Sequence, residues 1–225
     1  FNNAPIKTFV IIGVIFTLLS LVNMKLYNKI FSVILFTGLI FCVYTPNMDT
    51  PDENFHYSRS LYISEGHLYL PSSVEEMKVS SDISEVEGEF KKPLLQTDLE
   101  EKHLSDKQVV YSNLGNTNGY SFVSYLPQTM GILISRLLHL SVFGSIFLGR
   151  FLNLLVFALL VRFAIKKAGD KQLIFSLLAI IPINIYIAAS FNQDAFANGL
   201  IFLVIGLFLS YFEKDKVSNR DIVTY

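Results

Sequence analysis

An all-α, polytopic transmembrane helical bundle with one large extracytoplasmic loop and an amphipathic juxtamembrane helix is the fold class that three features of the sequence predict. Hydrophobic residues make up 52% of the chain, with 20 Phe and 11 Tyr, and they fall in long runs, which is more apolar than a water-soluble domain tolerates. Fourteen of the nineteen Asp and Glu lie between Asn47 and Tyr120, against six of the eighteen Lys and Arg, so an acidic segment interrupts those runs. The other basic residues cluster in the short links between runs, which sets an orientation by the positive-inside rule. An acidic soluble segment argues against nucleic acid as a partner. The single cysteine, Cys42, excludes an intrachain disulfide.

Taken in order, Ala4 to Asn23 reads as a first span in which Lys7 snorkels, with no small-residue cleavage pattern behind it. The turn after it carries Lys25 and Lys29 and no acid, which places it in the cytoplasm. Ile30 to Thr45 then exits outward, so residues 1–46 form two spans and a cytoplasmic turn. Residues 47–120 are the acidic extracytoplasmic loop. Beyond Glu65 they show no sustained apolar period, and loops with short helices, partly mobile, are expected, with Asn113 to Gly119 as a turn-rich linker. His67 and His103 read there as solvated.

Residues 121–140 decide the topology. Ser121 to Leu140 is apolar but carries Pro127, Gln128, Arg136 and His139. If it crossed, Arg162, Lys166, Lys167 and Lys171 would share a side with the acidic loop, at a few kcal/mol for each misplaced charge. It is therefore expected to lie along the outer interface or to re-enter. Residues 141–225 then hold three spans: Phe147 to Ile165 inward, Leu173 to Ala189 outward through a kink at Pro182, and Ala195 to Phe212 inward, ending at Glu213, Lys214, Asp215, Lys216 and Arg220. The chain opens on Phe1 and closes on what reads as the start of a loop, so a piece of a longer protein is expected.

The chemistry-bearing stretch is Thr50-Pro51-Asp52-Glu53-Asn54-Phe55-His56, directly after a span. One reading is helix initiation, with Thr50 as N-cap, Pro51 at the first helical position and Glu53 closing a capping box. The other is a site. Asp52 and Glu53 lie four and three residues before His56, a spacing that leans all three toward one helix face, where they can hold a divalent metal ion or pair a carboxylate base with a histidine. Asp194 and Arg150 fall near the same membrane surface, where polar groups are expensive and mark function. Simpler roles stand beside these: Asp194 capping the last helix, Arg150 snorkelling or holding a lipid phosphate, and Asn153 and Asn184 as interhelical hydrogen bonds.

Pro51-Asp52-Glu53-x-x-His56 with Arg59 and Gly66, then Tyr120, Tyr125-x-Pro127, Leu148-Gly149-Arg150-x-x-Asn153, Pro182 and Ala189-Ser190-x-x-x-Asp194, together resemble a bacterial family of polytopic membrane proteins of unknown function. That family is usually placed in the GT-C superfamily of glycosyltransferases. The resemblance runs from Ile30 onward. It implies a GT-C-like bundle in the bacterial cytoplasmic membrane, transferring a sugar from a polyprenyl-phosphate-linked donor to an envelope glycan acceptor on the extracytoplasmic face. By that resemblance Asp52 is the general base or a metal ligand, supported by Glu53 and His56. Arg59, Tyr125, Arg150 and Asp194 bind substrate, with Arg150 on the carrier phosphate. The two-acid motif is Asp-Glu here, where many GT-C proteins carry Asp-Asp or Asp-x-Asp. A transporter or assembly factor that binds a lipid-linked saccharide without cleaving it is the alternative, although the sequence shows no internal repeat.

Overall fold

The computed structural model describes residues 23–212. The expected first span and the closing charged cluster from Glu213 to Arg220 lie outside them, apart from Asn23. The described residues are mostly helical, and three helices are long and apolar enough to cross a membrane.

The first of these, α1 (Leu26–Tyr44), is 19 residues long, about 28 Å of rise, enough for the hydrocarbon core. It ends because Pro46 pushes Thr45 into extended backbone, at φ −63° and ψ 127°. After a turn the chain forms α2 (Glu53–Ser64), β1 (Lys78–Ser80), α3 (Asp82–Gly88) and β2 (Gln108–Val110). The strands pair antiparallel, Lys78 opposite Val110 and Ser80 opposite Gln108.

This segment is more ordered in kind than its composition suggested. Met48, Tyr57, Leu61, Val79, Ile83 and Leu114 are buried together with Ile132, Val142, Ile146 and Phe191 from the membrane elements, so both parts share one core. The expected linker at Asn113 to Gly119 largely forms a 3-10 turn, Ser112–Thr117, anchored by buried Leu114. The small sheet also corrects the purely helical expectation.

Next comes α4 (Leu126–Leu137), whose 12 residues span about 18 Å and are too short to cross. Its Leu126, Met130, Leu133 and Leu137 are exposed at helical spacing, while Gln128, Thr129, Gly131, Ile132 and Ser135 are buried. That is the amphipathic helix expected within residues 121–140. The long helix α5 (Val142–Lys167) is the centre of the bundle, packed on α1 and α4. It runs antiparallel to α1, since Arg150 meets the end of α1 and Arg162 Nε donates to Asn28 Oδ1 at 2.9 Å near its start.

The chain returns through α6 (Gln172–Ala179) and α7 (Pro182–Ala188), then leaves along α8 (Asp194–Phe212). The return is broken by 73° where a kink was expected. Ile181, held extended before Pro182, ends one helix and starts the next. Asn184 of α7 donates back across the break to the freed Leu178 carbonyl of α6 at 2.9 Å.

Backbone contact fixes α4 on α5. A Cβ added to Gly131 would lie 2.4 Å from the Gly149 nitrogen, and one added to Gly149 would strike the Phe191 ring. We therefore expect Gly131→Ala to lower the thermal unfolding midpoint of the detergent-solubilised protein, overpacking of this kind costing about 1–3 kcal/mol. Gly119→Ala, where an added Cβ meets nothing within 4 Å, leaves it unchanged. A normal midpoint for Gly131→Ala would rule out the close approach.

Candidate functional site

The capping box does not form. The Thr50 carbonyl instead accepts the Glu53 N–H in a turn, and Asp52, at φ 57° and ψ 15°, becomes the N-cap in left-handed backbone without a side-chain cap bond. Asp tolerates that conformation better than most residues, though it still costs about 1 kcal/mol. The turn sends the two acids in opposite directions. Glu53 is fully buried, while Asp52 is exposed.

Inside, Glu53 meets Arg150. Arg150 Nε donates to Glu53 Oε1 at 2.8 Å and Nη2 to Oε2 at 2.9 Å, with both side chains fully buried. Nη1 donates to the Cys42 and Thr45 carbonyls at 3.2 and 3.1 Å, and Nη2 also to Pro46 O at 3.2 Å. The Phe191 N–H donates to Glu53 Oε1 at 3.1 Å. Arg150 has no N–H left for a ligand, and Glu53 is fully buried against it. This corrects two expectations: Arg150 is not open to a carrier phosphate, and Glu53 is no support for a base.

Outside, five of the seven candidate residues assemble on the other side of α2. His56 Nδ1 and the Tyr125 hydroxyl share a 2.9 Å hydrogen bond, with the Tyr120 ring 5.7 Å from the imidazole. Burial pulls the His56 pKa below its usual value, opposed by the charges of Asp194 and Asp52. Burial likewise pushes the Tyr125 phenol up, so the pair is neutral at physiological pH. One helical turn on, Arg59 is only 3% exposed. Its Nη2 donates to Leu68 O at 2.8 Å and its guanidinium lies 5.7 Å from the Tyr62 ring centroid, but Nε and Nη1 have no hydrogen-bond partner among the described residues.

Asp194 opens α8 on the exposed side and accepts from Gln193, while the capping bond expected of it comes from Asn192 Oδ1, which accepts the Asp194 N–H at 2.9 Å. Asn192 Nδ2 also donates to Pro51 O at 3.4 Å, and Asn153 Nδ2 to the Ser190 and Asn192 carbonyls at 2.8 and 3.0 Å, so the two acid-bearing turns are stitched together. Gln128, which holds the Phe191 carbonyl at 3.2 Å, was missed in the sequence, as were Asn192 and the Tyr62 face. A glutamine on the buried face of an amphipathic helix was the one signal available.

The donor set does not fit the divalent metal. Among the described residues no three His, Cys, Asp or Glu side chains converge, because Glu53 faces Arg150 and His56 Nδ1 faces Tyr125. The expected Asp52, Glu53 and His56 ligand group is not assembled.

Arg150→Met strands the buried Glu53 carboxylate, at a cost of about 3–5 kcal/mol, and Glu53→Gln strands the guanidinium. Chemical unfolding in micelles should show the double variant less destabilised than the sum of the two. Additive losses would mean that the pair is not coupled. A second expectation concerns pH. Because the folded His56 pKa is depressed, the unfolded chain binds the extra proton first as pH falls through about 6.5, so stability is lost on acidification. Wild type should lose more stability than His56→Gln between pH 7.5 and 5.5. Parallel curves would refute a buried neutral imidazole.

No curated protein matches this chain, and no solved structure does. A family model does match, over residues 35–225, which takes in every candidate residue named above. The chain belongs to the family described as "predicted membrane protein (DUF2142)".

Proposed function

We propose that this chain is a membrane glycosyltransferase that moves a sugar from a polyprenyl-phosphate carrier to an envelope glycan, on the extracytoplasmic face of the bacterial cytoplasmic membrane. Arg59 carries the reading. It is a buried cation for which no ion pair is found among the described residues, with unpartnered N–H groups on Nε and Nη1. Leaving such donors unmatched costs more than a typical hydrogen bond returns, and a phosphate oxygen suits a guanidinium fork. The orientation follows from charge. Lys25, Lys166 and Lys167 share the end of the bundle marked by the Arg162–Asn28 bond, opposite Asp52 and Asp194.

In the reaction the acceptor hydroxyl oxygen attacks the anomeric carbon from the face opposite the phosphate. The bond from that carbon to the phosphate oxygen breaks, and its electron pair leaves on the polyprenyl phosphate, where Arg59 meets the developing charge. The hydroxyl proton passes to Asp52. The neutral His56–Tyr125 pair and Asp194 orient the sugar hydroxyls. Inversion at the anomeric carbon follows from the single displacement.

The alternative, a transporter or assembly factor that binds the lipid-linked saccharide without cleaving it, has one observation in its favour, the helix broken at Pro182. The groove beside that break is lined by Val33, Thr37, Phe41, Ile180, Pro182 and Ile185, however, and offers almost nothing polar to a saccharide.

The deciding experiment uses the full-length protein in membranes and a panel of radiolabelled polyprenyl-phosphate sugars. We expect transfer from one donor, reduced about 10²- to 10³-fold in Arg59→Met and abolished in Asp52→Asn. Carrier binding without transfer from any donor would favour the alternative, and full activity in Asp52→Asn would remove the assigned base.

A further inference from the structure

Past Arg59, α2 is stopped by Gly66, at φ 94°. The Gly66 N–H donates to Ile63 O and the His67 N–H to Tyr62 O, the paired bonds of a Schellman turn. That turn folds the His67 ring back onto Tyr62, stacked at 4.7 Å. Facing the pair is a cleft of about 490 Å³ lined by Tyr62, Glu65, His67, Glu76, Lys78 and Gln108. Of these residues only Tyr62, which carries the Arg59 guanidinium, is shared with the site described above.

Glu65 is the built part of the cleft. Its Oε1 accepts the Ser80 N–H at 2.9 Å and lies 3.6 Å from Arg136 Nη2, and the Gln108 side chain reaches the same carboxylate, which fixes it in the cleft. Around it the rim supplies donors from Lys78 and Gln108 and acceptors from Glu76 and Gln108. Tyr62 is buried beneath His67, so a ligand for this surface needs a flat apolar face for the exposed His67 ring and an edge that both donates and accepts hydrogen bonds. A pyranose ring has both: C–H groups on its face, which meet the negative face of an aromatic ring, and hydroxyls around its edge.

We infer that this cleft binds a saccharide chain and is the acceptor subsite. Its role as acceptor rests on the glycosyltransferase reading; the binding of saccharide does not. Arg59 lies across Tyr62 from the cleft, which sets the acceptor beside the proposed donor phosphate.

The test takes the full-length protein in nanodiscs and measures binding of trisaccharides of glucose, galactose, mannose and N-acetylglucosamine by saturation-transfer NMR and calorimetry. At least one should bind, and Lys78→Ala, Gln108→Ala and Glu65→Gln should each weaken it tenfold or more. The first two are exposed rim changes, with thermal midpoints expected to match wild type. If no trisaccharide binds, or if both rim variants bind undiminished, the inference is overturned. Cleft-dependent binding with no sugar transfer from any donor would overturn the glycosyltransferase reading and leave the saccharide site standing.

Discussion

The buried pair of Arg150 and Glu53 is the constraint on which the rest of the structure depends. Taking a guanidinium out of water is costly unless its charge and its N–H groups are met. Here that requires the end of α1, the start of α2 and the middle of the fold to be in place together. The carbonyls it needs exist because Pro46 stops α1, leaving the last turn without helical donors. At membrane depth water does not supply them, so the arginine of α5 does. The Phe191 amide then joins the same carboxylate, which fixes the link before α8.

Among the described residues two arginines are buried, one on α2 and one reaching its first residue, and they do opposite things. Arg150 is saturated by carboxylate and carbonyls and is structural. Arg59 has one carbonyl and an aromatic face, and is left with donors to offer. The left-handed turn at Asp52 is what separates the two functions. It drives Glu53 inward to close the lock and leaves Asp52 beside the open side of His56.

Much of this was legible in the sequence, and the misses have specific causes. The apolar helices α1, α5 and α8 and the short amphipathic α4 followed from hydropathy and length. Arg150 and Glu53 were drawn to one place but given the wrong partners, because spacing within α2 carries no information about a guanidinium 97 residues away. The capping-box pattern failed for the same reason: the N3-type glutamate had a stronger partner in a dry interior. The acidic segment read as loops because its apolar residues are scattered singly, Met48, Leu61, Val79, Ile83 and Leu114, and become a core only once the membrane elements add Ile132 and Phe191. Glu65 and His67 gave no signal, since the cleft depends on a turn and a strand that pair only in three dimensions.

The membrane elements do more than anchor the chemistry. A carboxylate at each end of α2 is met by an arginine from the bundle: Glu53 by Arg150 of α5, and Glu65, at the C-cap, by Arg136 of α4. Tilting α2 would open one pair or the other. Along the helix, His56, Arg59 and Tyr62 recur every three residues, so the imidazole, the free guanidinium and the aromatic wall of the cleft stand about 4.5 Å apart in axial rise. Strapped at both ends, α2 acts as a spacer between the turn that carries Asp52 and the cleft beyond Gly66. For a reaction that joins two bound partners, a misplacement of about 1 Å can cost 10²-fold in rate. On the proposed reading, residues that touch neither partner, Arg150 and Arg136 first among them, set how well the two are aligned.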